Sequence, residues 1–199
     1  DDCGCGFAEG STCDLLTTQW YAYARRALNA DGKAWMRELP RQVTFEMARR
    51  RLVVIHGGVS RINRFIFPTT ATGDKLTELE LAGTDGVIAG HSGVPFTQIL
   101  NGRLWHNAGV IGLPANDGTL RVWYSILRPS DDGIAIEHHP LAYDHAAAAR
   151  KMRERGLPLP YAEALETGIW PADDVMPEED RRQCGRALNP DAVLWNDEA

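Results

Sequence analysis

The sequence lacks three features that would each place it in a large class of proteins. No apolar run approaches the roughly 20 residues that a membrane-spanning helix requires. Positive charge is not in excess, because 21 Lys and Arg against 27 Asp and Glu leave a formal net charge of -6. Internal repeats and low-complexity tracts are also missing. We therefore expect no membrane span and no broad surface for nucleic acid or anionic lipid.

Cysteine is scarce and unevenly placed. Its four positions are Cys3, Cys5, Cys13 and Cys184, so three of them fall within the first thirteen residues. A secreted disulfide scaffold would space its cysteines through the chain, so we expect unpaired thiols in a cytoplasmic protein. A zinc site built from the first three cysteines is the alternative, although no C-x-x-C pair supports it.

The remaining composition is that of an ordinary globular protein, with 199 residues, 44% hydrophobic and 24% charged. We expect one domain over residues 1–199, because this length can bury a substantial core. Apolar periodicity and capping residues predict early helices over 12–28 and 33–38 and a later one over 74–81. Trp20 and Tyr23 are predicted to face the core.

Strands are predicted over 43–47 and 52–55, as an antiparallel pair, and from residue 86 to a turn at 90–96. Asn101-Gly102 predicts a hairpin, and further strands are expected near 119–127 and 134–138. Residues 143–199 are predicted to form a helical and irregular tail that Trp170 and Trp195 anchor to the core.

Two histidines follow buried strands directly and precede glycine turns. The run RLVVI at 51–55 leads into His56-Gly57-Gly58, and GVIA at 86–89 leads into Gly90-His91-Ser92-Gly93. Ligands of layered α/β proteins collect at the carboxyl ends of strands, so both imidazoles are candidate ligands. Each one alone is also compatible with a structural role at a loop end.

Other side chains provide fewer indications of chemistry. Asn63 and Arg64 follow the first histidine turn, and an arginine fork suits phosphate, so we predict that both bind substrate. His138 and His139 point to opposite faces of a strand and are predicted to be surface residues, while His106 is a weaker candidate ligand. No G-x-S-x-G nucleophile elbow is present, so no catalytic nucleophile is assigned.

These motifs resemble the C-terminal half of the calcineurin-like metallophosphoesterases, in the spacing of their small bacterial phosphodiesterase branch. The resemblance runs from residue 39 to residue 127 and includes the NAGVIG run at 107–112. It implies an α/β (α+β) fold, a four-layer α-β-β-α sandwich with two divalent metals (Mn, Zn or Fe) that activate water for attack on phosphorus. By resemblance, His56 is the strand-end ligand and His91 is the first histidine of the G-H-x-H motif, both on one metal.

The sequence departs from the family pattern in two ways. Gly93 stands where the motif has its second histidine, which is a usual ligand of the other metal. The D-x-H, G-D and G-N-H motifs of the family are also missing. We therefore expect either a C-terminal part of a longer enzyme or a half completed by another chain, with its N-terminal strands lacking and an exposed sheet edge that favours a homo-oligomer.

Two functions are compatible with these motifs as hypotheses. The first is a metal-dependent phosphoesterase that acts on a small phosphomonoester or phosphodiester and is incomplete in this chain. The alternative is a non-catalytic binding or interaction module on a degenerate metallophosphoesterase fold. Gly93 favours the second hypothesis, and the pair of strand-end histidines favours the first.

Overall fold

The computed structural model describes residue 4 and residues 6–196. The predictions for Cys3 and Cys5 therefore lie outside the described residues. The helices are α1 (Thr12–Ala27), α2 (Ala30–Glu38), α3 (Thr72–Ala82), α4 (His145–Glu154), α5 (Leu159–Thr167) and α6 (Glu178–Arg181). The strands are β1 (Val43–Met47), β2 (Arg50–Val54), β3 (Gly86–Ala89), β4 (Phe96–Leu100), β5 (Arg103–Asn107), β6 (Val122–Ser130), β7 (Gly133–Leu141) and β8 (Val193–Trp195).

Helix starts follow the capping residues. Ser11 is the N-cap of α1 and accepts a hydrogen bond from the Asp14 backbone N–H at 3.2 Å. Asp144 caps α4 in the same way, through the Ala147 N–H at 2.8 Å. Each cap satisfies a backbone donor that has no partner within the helix, which fixes where the helix begins.

Five strands form the larger sheet, in the order β1-β2-β3-β5-β4. The two outer pairs, β1 with β2 and β4 with β5, are antiparallel. The central strands β2, β3 and β5 are parallel to one another. Because β2 and β3 are joined through α3, they form a β-α-β unit, and the carboxyl ends of all three central strands lie at one edge.

The larger sheet is covered on both faces. One face packs Val53, Val87 and Trp105 with Leu79 of α3. The other face buries Leu52 and Leu104 against the second sheet, whose strand order is β6-β7-β8 and whose inward residues are Ile134, Ile136 and Trp195. Alternation along each strand therefore divides the apolar side chains between the helix and the second sheet.

Several details differ from the sequence-based expectations. Trp20 was predicted to lie in the core but is 40% exposed, and Leu16 is the buried residue of α1. The second helix begins at Ala30 and not at residue 33, because the Asn29 side chain caps it by accepting from the Gly32 N–H at 2.8 Å. The helical period alone does not show whether an apolar face has a partner to pack against.

The second sheet also corrects two expectations. His138 was predicted to be a surface residue, but it is half-buried and lies against the buried His106, with ring centroids 4.9 Å apart. The C-terminal segment, predicted to be helical and irregular, also contains a strand, because Trp195 belongs to β8 and is fully buried. Its Nε1 donates to the Gly102 carbonyl at 2.9 Å, as expected of an anchor.

A helix that crosses a membrane must be both long and apolar. Among those in the described part of the chain, none combines the length and the apolar character needed to cross a membrane.

Replacement of Trp195 tests the packing between the two sheets. Trp195→Ala is expected to lower the free energy of unfolding by about 3–5 kcal/mol, because it leaves a cavity and removes an indole hydrogen bond. Urea denaturation measures the change. Trp35→Ala is the matched control, since Trp35 is 63% exposed, and should cost no more than about 0.5 kcal/mol. Equal losses in both variants would contradict the assignment.

The buried His106 predicts acid sensitivity. Burial, reinforced by His138, lowers the pKa of His106 from 6.5 to about 3. Between these values the unfolded chain binds a proton that the folded chain does not, so the free energy of unfolding falls as pH falls from 6.5. The slope per group is at most about 1.4 kcal/mol per pH unit.

Urea denaturation between pH 6.5 and about 5.5 measures this slope, at pH values above the ordinary pKa of a carboxyl group. His91 and His138, whose pKa values burial also lowers, contribute in the same direction. His106→Gln is expected to reduce the slope of the unfolding free energy against pH by the contribution of one histidine. An unchanged slope in the variant would show that the imidazole of His106 is not responsible.

Candidate functional site

The two strand-end histidines meet at the carboxyl edge of the larger sheet. Ile55 and His56 follow β2, and Gly90 and His91 follow β3, so parallel pairing places the two side chains side by side. The Gly90 N–H donates to the His56 carbonyl at 2.9 Å and extends the pairing to the turns. His56 Nε2 and His91 Nδ1 lie 2.9 Å apart, so one nitrogen carries a proton and donates it to the other.

His91 is the more enclosed member of the pair. Its backbone has φ +61°, in the left-handed region, which turns the chain sharply away from β3. Burial, and then the proximity of His56, lower the pKa of His91 from 6.5 to about 4, and the Asn63 backbone opposes the shift. The ring is therefore neutral at neutral pH, which is the form that binds metals.

The second ring nitrogen of His91, Nε2, is buried. No described group meets it with hydrogen-bond geometry. On one face the ring stacks against Phe65, with centroids 4.1 Å apart. The ring is thus held by packing, by its contact with His56 and by the Asn63 backbone.

Asn107 fixes the turn that presents His91. It ends β5, which pairs with β3, and it is fully buried. Its Nδ2 donates to the Gly90 carbonyl and to Ser92 Oγ, both at 2.8 Å. Its Oδ1 accepts from the Gly109 N–H at 3.0 Å, so this amide joins two loops at the sheet edge.

The loop after His56 is folded tightly against His91. A Cβ on Gly57 would lie 2.7 Å from two backbone carbonyls of the loop and 3.1 Å from His91 Cβ, so only glycine fits. The buried carboxylate of Glu78 binds the loop from α3, accepting from the Val59 N–H at 2.6 Å and the Ser60 N–H at 2.9 Å. These bonds lower the pKa of Glu78 and outweigh its desolvation.

Asn63 and Arg64, the predicted substrate-binding residues, lie in this same loop. The Asn63 amide donates to the Gly4 carbonyl. The guanidinium of Arg64 is paired with Glu78 at 2.6 Å and with Asp74 at 3.0 Å. Neither residue belongs to the described lining of the cavity beside the histidines, and their substrate-binding role stays a prediction.

The histidine pair fits part of a metal site. His56 Nε2 and His91 Nδ1 lie at hydrogen-bond distance from each other, and to bind one ion both lone pairs would turn toward it in place of this hydrogen bond. The described residues include no cluster of three or more His, Cys, Asp or Glu side chains that could hold an ion. The described residues thus supply two ligands and do not complete a centre.

Gly93, at the position of the second histidine of the motif, is closely packed. Its backbone has φ +71°, and a Cβ at this position would lie 3.2 Å from Cζ2 of Trp170. The indole of Trp170 therefore occupies the space that a histidine side chain at position 93 would need. A side chain at position 93 would therefore have to displace the indole of Trp170.

The contacts of Phe65 and Trp170 with the histidine turns were not predicted from the sequence, and the run at 107–112 was expected near the site without a role for the Asn107 amide. Asn107 could have been found, because it ends a strand at the same sheet edge as the histidines. No sequence pattern places Phe65 on His91 or Trp170 over Gly93, since both contacts join distant segments. His106 faces away from the site and donates to or accepts from Ser125 and Thr97 between the sheets.

Comparison with solved structures shows what this arrangement resembles. A hypothetical protein from Pyrococcus horikoshii OT3 superposes with a TM-score of 0.67 at 14% identity, over 82% of this chain and 63% of that one. A metallophosphoesterase from Sphaerobacter thermophilus superposes with a TM-score of 0.63 at 19% identity, over 82% of this chain and 71% of that one. The chain has a metallophosphoesterase-type fold.

This result confirms the α/β sandwich predicted from the sequence. At these identities the similarity shows the fold alone, and this chain spans less than two thirds of the length of the Pyrococcus protein. No protein-family profile matches the sequence, and no curated protein matches it significantly.

Substitution of Asn107 tests how the turn is held. Asn107→Ala is expected to lower the free energy of unfolding by about 2 kcal/mol or more, because it leaves buried polar groups of both loops without partners. It should also change the imidazole signals of His91 in NMR spectra, since Gly90 and Ser92 lose their support. Asn189→Ala, at an exposed position, is the control for stability. Unchanged His91 signals in Asn107→Ala would show that the amide does not position the ring.

Proposed function

We propose that the protein is a metal-dependent phosphoesterase, in which His56 and His91 bind one divalent ion. The observation that supports this proposal is the convergence of His56 Nε2 and His91 Nδ1, 2.9 Å apart, at the carboxyl ends of adjacent parallel strands. The metallophosphoesterase from Sphaerobacter thermophilus shares the fold that presents them. Mn, Zn and Fe suit two imidazole ligands, and a small phosphomonoester or phosphodiester is the proposed substrate.

Each residue of the site has a defined part in this proposal. A bound divalent ion would polarise phosphoryl oxygens and make a coordinated water acidic enough to attack phosphorus. His56 and His91 would hold the ion as neutral imidazoles, and burial keeps His91 in that form. Asn107 positions the His91 turn and Phe65 orients the His91 ring, so both act through the ligand.

The proposed centre needs further ligands. Two imidazoles hold an ion weakly, and a second ion would need a replacement for the missing histidine at Gly93. In a longer form of the protein, or in an assembly with another chain, other segments would supply them. The small bacterial phosphodiesterase branch, a cytoplasmic location and a homo-oligomer remain parts of this proposal.

A second function has specific support. Without a metal centre, the chain would be a non-catalytic binding module. The packing of Trp170 over Gly93 favours this alternative, because it leaves little room for a further ligand at position 93. Metal binding by the histidine pair distinguishes the two functions.

Metal titration of single variants tests the proposal. His91→Ala and His56→Ala are each expected to reduce the affinity for Mn²⁺ or Zn²⁺ at least tenfold, because each removes one of two ligands. Isothermal titration calorimetry and metal analysis measure the change, and circular dichroism reports on the fold. His139→Ala is the control, since His139 lies on β7 beside Glu137 and away from the site.

The same experiment is informative on the natural gene product, with intact mass measured alongside. A mass well above 22.0 kDa with a bound metal that His91→Ala removes would support the phosphoesterase. Unchanged metal stoichiometry in His91→Ala would refute the assignment of this ligand. A product of the mass of this chain that binds no metal would favour the binding module.

A further inference from the structure

A cavity of about 480 Å³ opens beside the two histidines. Its volume lies within the roughly 300–1,000 Å³ of small-molecule sites. The larger apolar side chains of its wall include Phe7, Leu16, Phe65, Leu113, Trp170 and Val175. These residues come from segments far apart in the sequence, so only the folded chain forms this wall.

The wall carries almost no charge. Among the described residues that line the cavity, none is Lys, Arg, Asp or Glu. Two of its few polar groups are already engaged, because Ser92 Oγ accepts from Asn107 and Cys13 Sγ donates to Asp174 at 3.2 Å. The histidine pair is thus the main polar feature that the cavity offers to an occupant.

The aromatic parts of the wall are held in place from outside the cavity. Trp170 donates its Nε1 to the Pro114 carbonyl at 2.6 Å and its backbone N–H to Asn116 Oδ1 at 2.8 Å. Phe65 is stacked between His91 and Phe67, with centroids 4.1 Å and 6.0 Å away. The rings are therefore preorganised, so a ligand would lose less free energy in ordering them.

The apolar surface continues past the first cavity. A second cavity of about 220 Å³ shares Leu113 and Tyr161 with it and is also lined by Trp20, Met152 and Leu165. Trp20, which is exposed in spite of the core position predicted for it, belongs to this surface.

The chemistry of the occupant follows from these walls. A buried hydroxyl or amide would lose its water without gaining hydrogen bonds, whereas an apolar group gains free energy on leaving water. We infer that the substrate is a phosphoester of an apolar, aromatic-sized group, which lies against Phe65 and Trp170 while its phosphate faces the histidines. This inference rests on the proposed phosphoesterase function and disfavours sugar phosphates.

Binding of two phosphonates tests the inference without requiring turnover. The probes are 1-naphthylphosphonate and methylphosphonate, whose P–C bonds resist hydrolysis, each titrated with Mn²⁺ present and absent. The naphthyl compound is expected to bind at least tenfold more tightly. Ala172→Trp, which places an indole in the cavity, is expected to remove this preference and to leave methylphosphonate binding unchanged. Ala34→Trp, on the exposed surface of α2, is the matched control.

The outcomes separate this inference from the proposed function. Equal affinities for the two phosphonates, or no effect of Ala172→Trp, would overturn the inference even if Mn²⁺ strengthens the binding of both. The neutral probe 1-naphthol, which lacks the phosphonate group, tests whether the site recognises phosphate. If 1-naphthol binds as tightly as 1-naphthylphosphonate with Mn²⁺ present, the phosphate is not recognised, which overturns the proposed function and, with it, the assignment of a phosphoester.

Discussion

Parallel pairing of β2 with β3 brings together two histidines that lie 35 positions apart in the sequence. Each strand ends at the same edge, and each continues directly into a turn whose backbone is bonded to the other. The relative placement of the two histidines is therefore set by the pairing of the sheet. A shift of one residue in this register would turn one imidazole away from the other.

Two kinds of surroundings meet at the histidine pair: polar groups that hold the turns, and an apolar wall beyond the rings. Backbone and amide groups hold the turns, above all through Asn107, while the ring of His91 is packed against Phe65. Beyond the rings the wall is apolar, and cationic groups are directed elsewhere: Arg64 is committed to Glu78 and Asp74. A phosphate at this site would depend on a metal ion for compensation of its charge, because the described wall supplies no cation.

Gly93 and Trp170 connect the histidine turn to the apolar cavity. A Cβ on Gly93 would lie 3.2 Å from the indole of Trp170, and both residues line the cavity. The position that the sequence resemblance aligns with a metal ligand is thus packed against the wall that would receive an organic group.

The sequence by itself determined most helices and strands through local signals. Ser11 and Asp144 mark the starts of α1 and α4, and the Asn101-Gly102 turn with its flanking apolar residues specifies the β4–β5 hairpin, because these signals act over a few residues. It also indicated that His56 and His91 stand at strand ends. Only the tertiary structure decided that those strands are neighbours, that Phe65 and Trp170 face the histidine turns, that Trp195 forms a strand of the second sheet, and that Trp20 stays exposed. These outcomes depend on packing between distant segments, and neither the hydrophobic period nor a capping residue carries information about the partner that a face will meet.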